Sequence, residues 1–219
     1  MRAPPLGSDR DQVNRRSGPA VFDRDLVATS VGAIVYSFAL GIAVVALPLL
    51  ALDAGYGKAT VGYLIACSAI SQMASRLVLG AVMRRYPDWL IVFTAGGLLA
   101  ASCTLVAASA AVIPFVVAEL LQGAARGCFW TGSQTHVVRG EGSSVGRLAG
   151  VNFISSFGLM GGPIAAGFIG NRSLSLALYV AAVVAVIGMI PPMLLDRLPP
   201  SLPSGTRDAT PCGIDRAST

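Results

Sequence analysis

Charge is what this sequence has least of. Lys, Arg, Asp and Glu together supply 12% of its 219 residues, where a soluble globular domain carries roughly 25%. That scarcity excludes an ordinary water-soluble domain. Histidine is rarer still, with His136 the single example. The four cysteines, Cys67, Cys103, Cys128 and Cys212, show no C-x-x-C spacing, so no metal centre is expected and the thiols read as small hydrophobes. No G-x-x-x-x-G-K-[ST] stretch occurs, which removes ATP hydrolysis on a phosphate-binding loop. No cofactor is implied. A serine and a histidine do lie three residues apart, at Ser133 and His136. Side chains so spaced on one helix rarely reach the geometry that nucleophilic catalysis needs, and no enzyme is expected.

What the chain has instead is long apolar runs. Hydrophobic residues make up 54% of it, and the mean hydropathy is +0.69. A bilayer core of about 30 Å needs roughly 20 apolar residues per helical crossing. Six runs meet that length: 26–52, 61–83, 90–109, 112–131, 148–169 and 174–195. Pro114 marks the start of the fourth, because proline fits the first turn of a helix. The expected fold is therefore all-α, a polytopic membrane protein with six transmembrane helices at 26–195. A tail of 25 residues precedes it, and a Pro- and Ser-rich tail over 196–219 follows and is expected to be disordered. The first run is too long for a cleaved leader and reads as an anchor.

Arginine and lysine stay on the cytoplasmic side of a membrane. Arg2, Arg10, Arg15, Arg16 and Arg24 precede the first run, Arg84 and Arg85 follow the second, Arg139 and Arg147 flank the fourth connection, and Arg197, Arg207 and Arg216 close the chain. The odd connections hold only Lys58 and Arg172. Both termini are thus expected in the cytoplasm, with the chain multi-pass in the cell membrane. The net charge of +5 follows this topology. It offers no patch for a nucleic acid.

Charge inside a membrane segment is costly and points to function. Glu119, Gln122 and Arg126 share one face of the fourth helix, with the two charges about 10 Å apart along its axis. Such a line must face a cavity or other helices. It supplies a titrating carboxyl and two groups able to bind a small-molecule substrate. The alternative is a structural charge network. A weaker stripe of Ser68, Ser71, Gln72 and Ser75 on the second helix reads mainly as helix packing. Tyr36 reads the same way. In the fifth run Gly158, Gly162, Ala166 and Gly170 recur every four residues, a smooth ridge for close helix contact. Pro163 removes the donor for the Leu159 carbonyl and predicts a bend.

The stretch Gly158-x-x-x-Gly162-Pro163-x-x-Ala166-Gly167 resembles the antiporter motif G-x-x-x-G-P-x-x-G-G in the fifth helix of major facilitator superfamily drug exporters. Ala166 is the one departure. The connection after the second helix is a degenerate form of the superfamily's G-x-x-x-D-R-x-G-R-R. Gly80 and Arg85 match it, while Arg84 stands at the acidic position and Pro87, Asp88 and Trp89 replace the last three. Gln122 and Gly123 match the fourth-helix R-x-x-Q-G, but Glu119 occupies the place of its arginine. The resemblance covers 26–195 and implies one six-helix half of a twelve-helix transporter, built as two inverted three-helix repeats. It implies proton-coupled export of small drug-like solutes, with a second six-helix half or a homodimer as partner. In that setting the glycine ridge is expected to meet the other half. Sugar or metabolite transport, and a non-transporting truncated protein that docks on a full transporter, are the alternatives.

Overall fold

The computed structural model describes residues 24–109, 111–139 and 144–193, and within them every regular element is a helix. Six crossings follow one another: α1 (Arg24–Asp53), α2 (Lys58–Val82), α3 (Asp88–Ala108), α4 (Val112–Arg139), α5 (Ser144–Gly170) and α6 (Leu174–Ile187). A short α7 (Ile190–Met193) prolongs the sixth after a turn at Gly188, and all six spans are long and apolar enough to cross a membrane. Of the expected tails, only Arg24 and Asp25 fall among the described residues, where they open α1.

Local chemistry sets the helix ends. Gly55 adopts φ +88° in the turn after α1, a backbone state that glycine enters without steric cost. Pro87 caps α3 in extended conformation, with Asp88 in the first turn. The chain breaks at Ser109, also extended, and α4 carries Pro114 within its first turn. Ser173 caps α6 by accepting a hydrogen bond from the Leu176 N–H at 3.3 Å.

The fourth helix departs from expectation. It runs eight residues beyond 131, to Arg139, because Gly132, Ser133, His136 and Val137 are buried against neighbouring helices. Hydropathy alone ends a helix where polar residues begin. Here those residues find partners inside the bundle.

The packing repeats itself. Helix α1 lies mainly on α5 and α6, α4 lies mainly on α2 and α3, and α3 and α6 meet each other. Exchanging the first three helices with the last three leaves this main pattern unchanged. Three crossings per unit make the two units inverted in the membrane, the arrangement of an inverted repeat. The central helices are α1 and α4. Helices α2 and α5 are the least covered, with Leu77 82% and Phe168 79% exposed on apolar outward faces.

Close approach at two crossings holds the bundle together. In a lipid setting, packing and interhelical hydrogen bonds drive association, because lipid is as apolar as leucine. On α5, a Cβ placed on Gly162 would lie 2.6 Å from the Gly41 Cα and the Phe38 carbonyl oxygen of α1. One on Gly158 would fall onto the Ile34 carbonyl oxygen. On α4, a Cβ on Gly123 would fall onto the Ser68 carbonyl oxygen of α2, and one on Gly127 would lie 2.9 Å from the Ser75 Cβ. At both crossings backbone packs on backbone.

Candidate functional site

The polar line on α4 points into the bundle. Glu119 is 3% and Gln122 1% exposed, and Arg126 is half-buried. The Arg126 guanidinium donates a hydrogen bond to the Gln122 Oε1 one turn away, which ties the two side chains along the helix. Glu119 and Arg126 interact electrostatically, and the Ser68 hydroxyl of α2 sits beside the Glu119 carboxyl. One negative and one positive group inside apolar surroundings balance each other, where an isolated charge would be costly.

Neighbouring helices complete this region. Tyr36 of α1 is 2% exposed and stacks flat on Phe129 of α4, with ring centroids 3.8 Å apart and planes 4° from parallel. Phe129 lies three residues beyond Arg126 on the same helix, so the Tyr36 ring stands next along the polar line, within the field of Arg126. The Tyr36 hydroxyl, the Gln122 Nε2 and the Arg126 Nε have no hydrogen-bond partner among the described residues. A buried polar atom without a partner is expensive. Three of them on two adjoining helices leave hydrogen-bonding capacity unspent inside the bundle.

Gly123 makes this geometry possible. It sits between Gln122 and the Arg126 turn and lets the α2 backbone approach α4, so that Ser68 reaches Glu119 and Ser71 Oγ donates to the Leu120 carbonyl at 2.7 Å. The stripe of Ser68, Ser71, Gln72 and Ser75 is the α2 side of that contact. The structure therefore brings Glu119, Gln122 and Arg126 together with Ser68 and Tyr36.

The antiporter-motif residues lie elsewhere. Gly158, Gly162 and Ala166 are buried, the first two directly against α1, while Gly167 is exposed with open space beside it. This corrects the expectation that the ridge meets another half: its surface is occupied by Ile34, Ser37, Phe38 and Gly41 of the same bundle. Helix α5 runs unbroken through Pro163, and Gly41 packs directly over the ring and over the freed Leu159 carbonyl. The signal lay in α1 itself. Ser37 and Gly41 are four residues apart, a small-residue pair that matches the ridge.

The degenerate loop motif leaves Gly80, Arg84 and Arg85 exposed. Asp88, standing where that motif has an arginine, is 1% exposed at its side chain and belongs to a second polar cluster that sequence reasoning missed. Arg139 of α4 donates from Nη1 to the Asp88 Oδ2 at 2.9 Å. The His136 Nδ1 lies 3.9 Å from that oxygen, and its Nε2 lies 3.3 Å from the Asp25 Oδ2 at the start of α1. Acids in the first turns of α1 and α3 thus meet bases in the last turn of α4, the pairing that helix dipoles favour. That sign pattern was the readable clue. The Ser133 hydroxyl bonds instead to the Trp130 carbonyl of its own helix at 3.4 Å. Among the described residues no group of His, Cys, Asp and Glu is placed to hold a metal ion.

Comparison with known proteins agrees with the architecture. No curated protein matches the chain. A family profile described as Major Facilitator Superfamily matches residues 29–214, most of the chain and all of the helical bundle beyond the first turn of α1. Six crossings in two inverted units, with polar residues buried on the central α4, are in keeping with that match, and the chain belongs to the Major Facilitator Superfamily.

Proposed function

We propose that this membrane protein, a major facilitator by family, exports small amphiphilic or drug-like solutes in exchange for protons. The observation that carries the reading is the buried line of Glu119, Gln122 and Arg126 beside Ser68 and Tyr36. Glu119 is the proton-carrying group. Gln122, Arg126 and Tyr36 present unspent donors to the solute, and the aromatic pair of Tyr36 and Phe129 offers it an apolar wall. The motif on α5 supports the exchange direction by resemblance. Its structural part is to lock α5 on α1, so that the inverted units move as one body. Alternating access requires a second body to move against, and a second copy, a separately encoded half or a longer parent chain supplies it. The sparsely covered α2 and α5 have the apolar outer faces such a contact needs. Both termini lie on the cytoplasmic side in this reading, since Arg24, Arg84, Arg85, Arg139 and Arg147 fall at helix ends that share one end of the bundle.

The test is flux of a fluorescent amphiphilic cation in vesicles containing the chain under an imposed proton gradient. Gradient-driven accumulation is expected, abolished by Glu119→Gln and retained by Glu119→Asp. Flux that ignores the gradient, or survives Glu119→Gln unchanged, overturns the assignment. A non-transporting role has one observation in its favour, the replacement of the loop motif's acid by Arg84. Absence of any flux, with cross-linking that traps only a single six-helix particle, selects it.

A further inference from the structure

We infer that the C-terminal end of α2 docks an anionic phospholipid of the bilayer, with Arg76, Arg84 and Arg85 on its phosphate and the outward apolar face of α2 along an acyl chain. Charge is the first observation. Between Asp53 and Asp88 the sequence contains no acid, and Asp88 itself is turned inward, where it accepts from Arg139 with its side chain 1% exposed. The three arginines are exposed, and among the described residues none of them forms an ion pair. Nor does the end of the helix require them. The Leu79 and Val82 carbonyls already accept hydrogen bonds from the Met83, Arg85 and Tyr86 N–H groups at 2.9, 2.9 and 3.0 Å. Three guanidinium groups are therefore left facing whatever surrounds the bundle.

The surface beside these charges is the second observation. Ile70, Met73, Leu77 and Gly80 follow one another at steps of three or four residues, so they form one line along α2 that leads to Arg84. Ile70, Met73 and Leu77 are 67%, 72% and 82% exposed, and the line faces away from the bundle. Gly80 interrupts it where the charges begin. It is exposed, and no atom lies within 4 Å of a Cβ built there, so it leaves a notch between Arg76 one turn before it and Arg84 four residues after it. Long arginine stems bend along a helix to bring their charged heads to the membrane surface. A phospholipid presents the same order of groups: an anion, a polar ester region, then an apolar chain. From Ile70 to Gly80 the helix rises about 15 Å, which is one leaflet of a hydrocarbon core about 30 Å thick. That match selects a lipid over a soluble phosphate, which would use the arginines and leave the apolar line idle. An anionic headgroup is favoured by basic residues at the end of a membrane helix, whereas a zwitterionic one brings a cation of its own. Membrane composition thus determines how this end of α2 is covered.

Two measurements on the full chain test this. In the first, the chain in mixed micelles with equal amounts of phosphatidylglycerol and phosphatidylcholine is examined by native mass spectrometry. Retention of phosphatidylglycerol at least about tenfold above phosphatidylcholine is expected, since each arginine near an anionic headgroup contributes about fivefold. Arg76→Gln/Arg84→Gln/Arg85→Gln is expected to erase the preference and the corresponding triple change to lysine to keep most of it. Equal retention of the two lipids, or a preference that survives loss of the three charges, overturns the inference. Should the glutamine variant fail to insert, Gly80→Leu replaces it, because it fills the notch and leaves every charge in place. An undiminished preference in Gly80→Leu overturns the site. In the second measurement Leu77→Trp, at an exposed position, reports on the acyl chain through the quenching that it adds to the emission of the native chain in vesicles. Lipid brominated on its acyl chains is expected to quench it at a lower fraction as phosphatidylglycerol than as phosphatidylcholine. Selective retention without selective quenching makes the arginines a site for a free anion and overturns the lipid. No quenching by either lipid means that another body covers α2, which overturns it as well. Neither readout requires a transported solute, so both stand or fall separately from the vesicle flux.

Discussion

The α1–α5 and α4–α2 crossings occupy equivalent places in the two inverted units, and they solve the same packing problem with different chemistry. At α1–α5 the approaching surfaces are Gly158 and Gly162 against Ile34, Ser37, Phe38 and Gly41. The atoms that meet Gly158 and Gly162 there are all uncharged. At α4–α2 the glycines are on the central helix, at Gly123 and Gly127, and serines face them from α2. One serine donates across the interface to the Leu120 carbonyl, and Glu119, Gln122 and Arg126 are interleaved with the glycines. The first crossing holds the bundle by shape, whereas the second places a carboxyl beside a hydroxyl while doing so. The stretch that resembles the antiporter motif sits on the first. The buried charged pair, Glu119 and Arg126, sits at the second.

Filling either glycine breaks the comparison at its strongest point. Gly162→Ala puts a methyl 2.6 Å from the Gly41 Cα and the Phe38 carbonyl oxygen, and backbone cannot swing aside as a flexible side chain can. Overpacking ordinarily costs about 1–3 kcal/mol, and more where nothing yields. A loss of about 3 kcal/mol or more is expected, measured by unfolding the protein from mixed micelles with added SDS. If Gly162→Ala unfolds like the native chain, the α1–α5 contact is not what anchors the bundle.

Gly123→Ala sharpens the contrast. Its new methyl would meet the Ser68 carbonyl oxygen and lie 2.9 Å from the Ser71 Cβ. Some relief comes from sliding α2, the least covered helix, so a stability loss of about 2 kcal/mol is expected, below that at Gly162. The slide carries Ser68 away from Glu119. Gradient-driven flux should therefore fall at least about tenfold in the folded fraction, a barrier change of about 1.4 kcal/mol. Flux intact in Gly123→Ala but lost in Gly162→Ala would assign the working crossing to the other unit.

How much of this was legible follows the same division. The six crossings, the polar line and the ridge were readable because each is a periodic pattern within one helix. What faces each pattern was not, since contact partners come from helices far away in the chain. Glu119 could be placed on a buried face, yet Ser68 as its neighbour depends on the α2–α4 approach. The ridge pointed to a close contact, but only the fold assigns that contact to α1. The cluster of Asp25, Asp88, His136 and Arg139 draws on three helices, and its polar residues made the end of α4 look like a loop. Acids opening two helices and bases ending a third were visible. Their meeting at one point was not.

Ser71→Ala asks whether the polar crossing relies on its hydrogen bond or on close approach. The bond from Ser71 Oγ to the Leu120 carbonyl is 2.7 Å long, yet such bonds within membranes contribute on average about 0.6 kcal/mol and at most about 1.7. A cost near that average, measured by the same SDS unfolding, leaves close approach in charge. A cost equal to that of Gly123→Ala would mean that the hydroxyl holds α2 in place and that the two crossings differ in what binds them as well as in what they carry.

The smallest effect is expected at Gly167, the one antiporter-motif glycine that points away from α1. No atom lies within 4 Å of a Cβ built there, so Gly167→Ala removes backbone freedom from the unfolded chain without filling any contact. A gain of about 0.4–1 kcal/mol should result. The sign matters more than the size, because the same substitution five residues earlier is expected to be strongly unfavourable. If Gly167→Ala leaves stability untouched or higher yet lowers gradient-driven flux, the exposed side of α5 meets something that the α1–α5 crossing does not supply. The glycine ridge would then divide into a buried part that holds the bundle and an outer part that works against a second body.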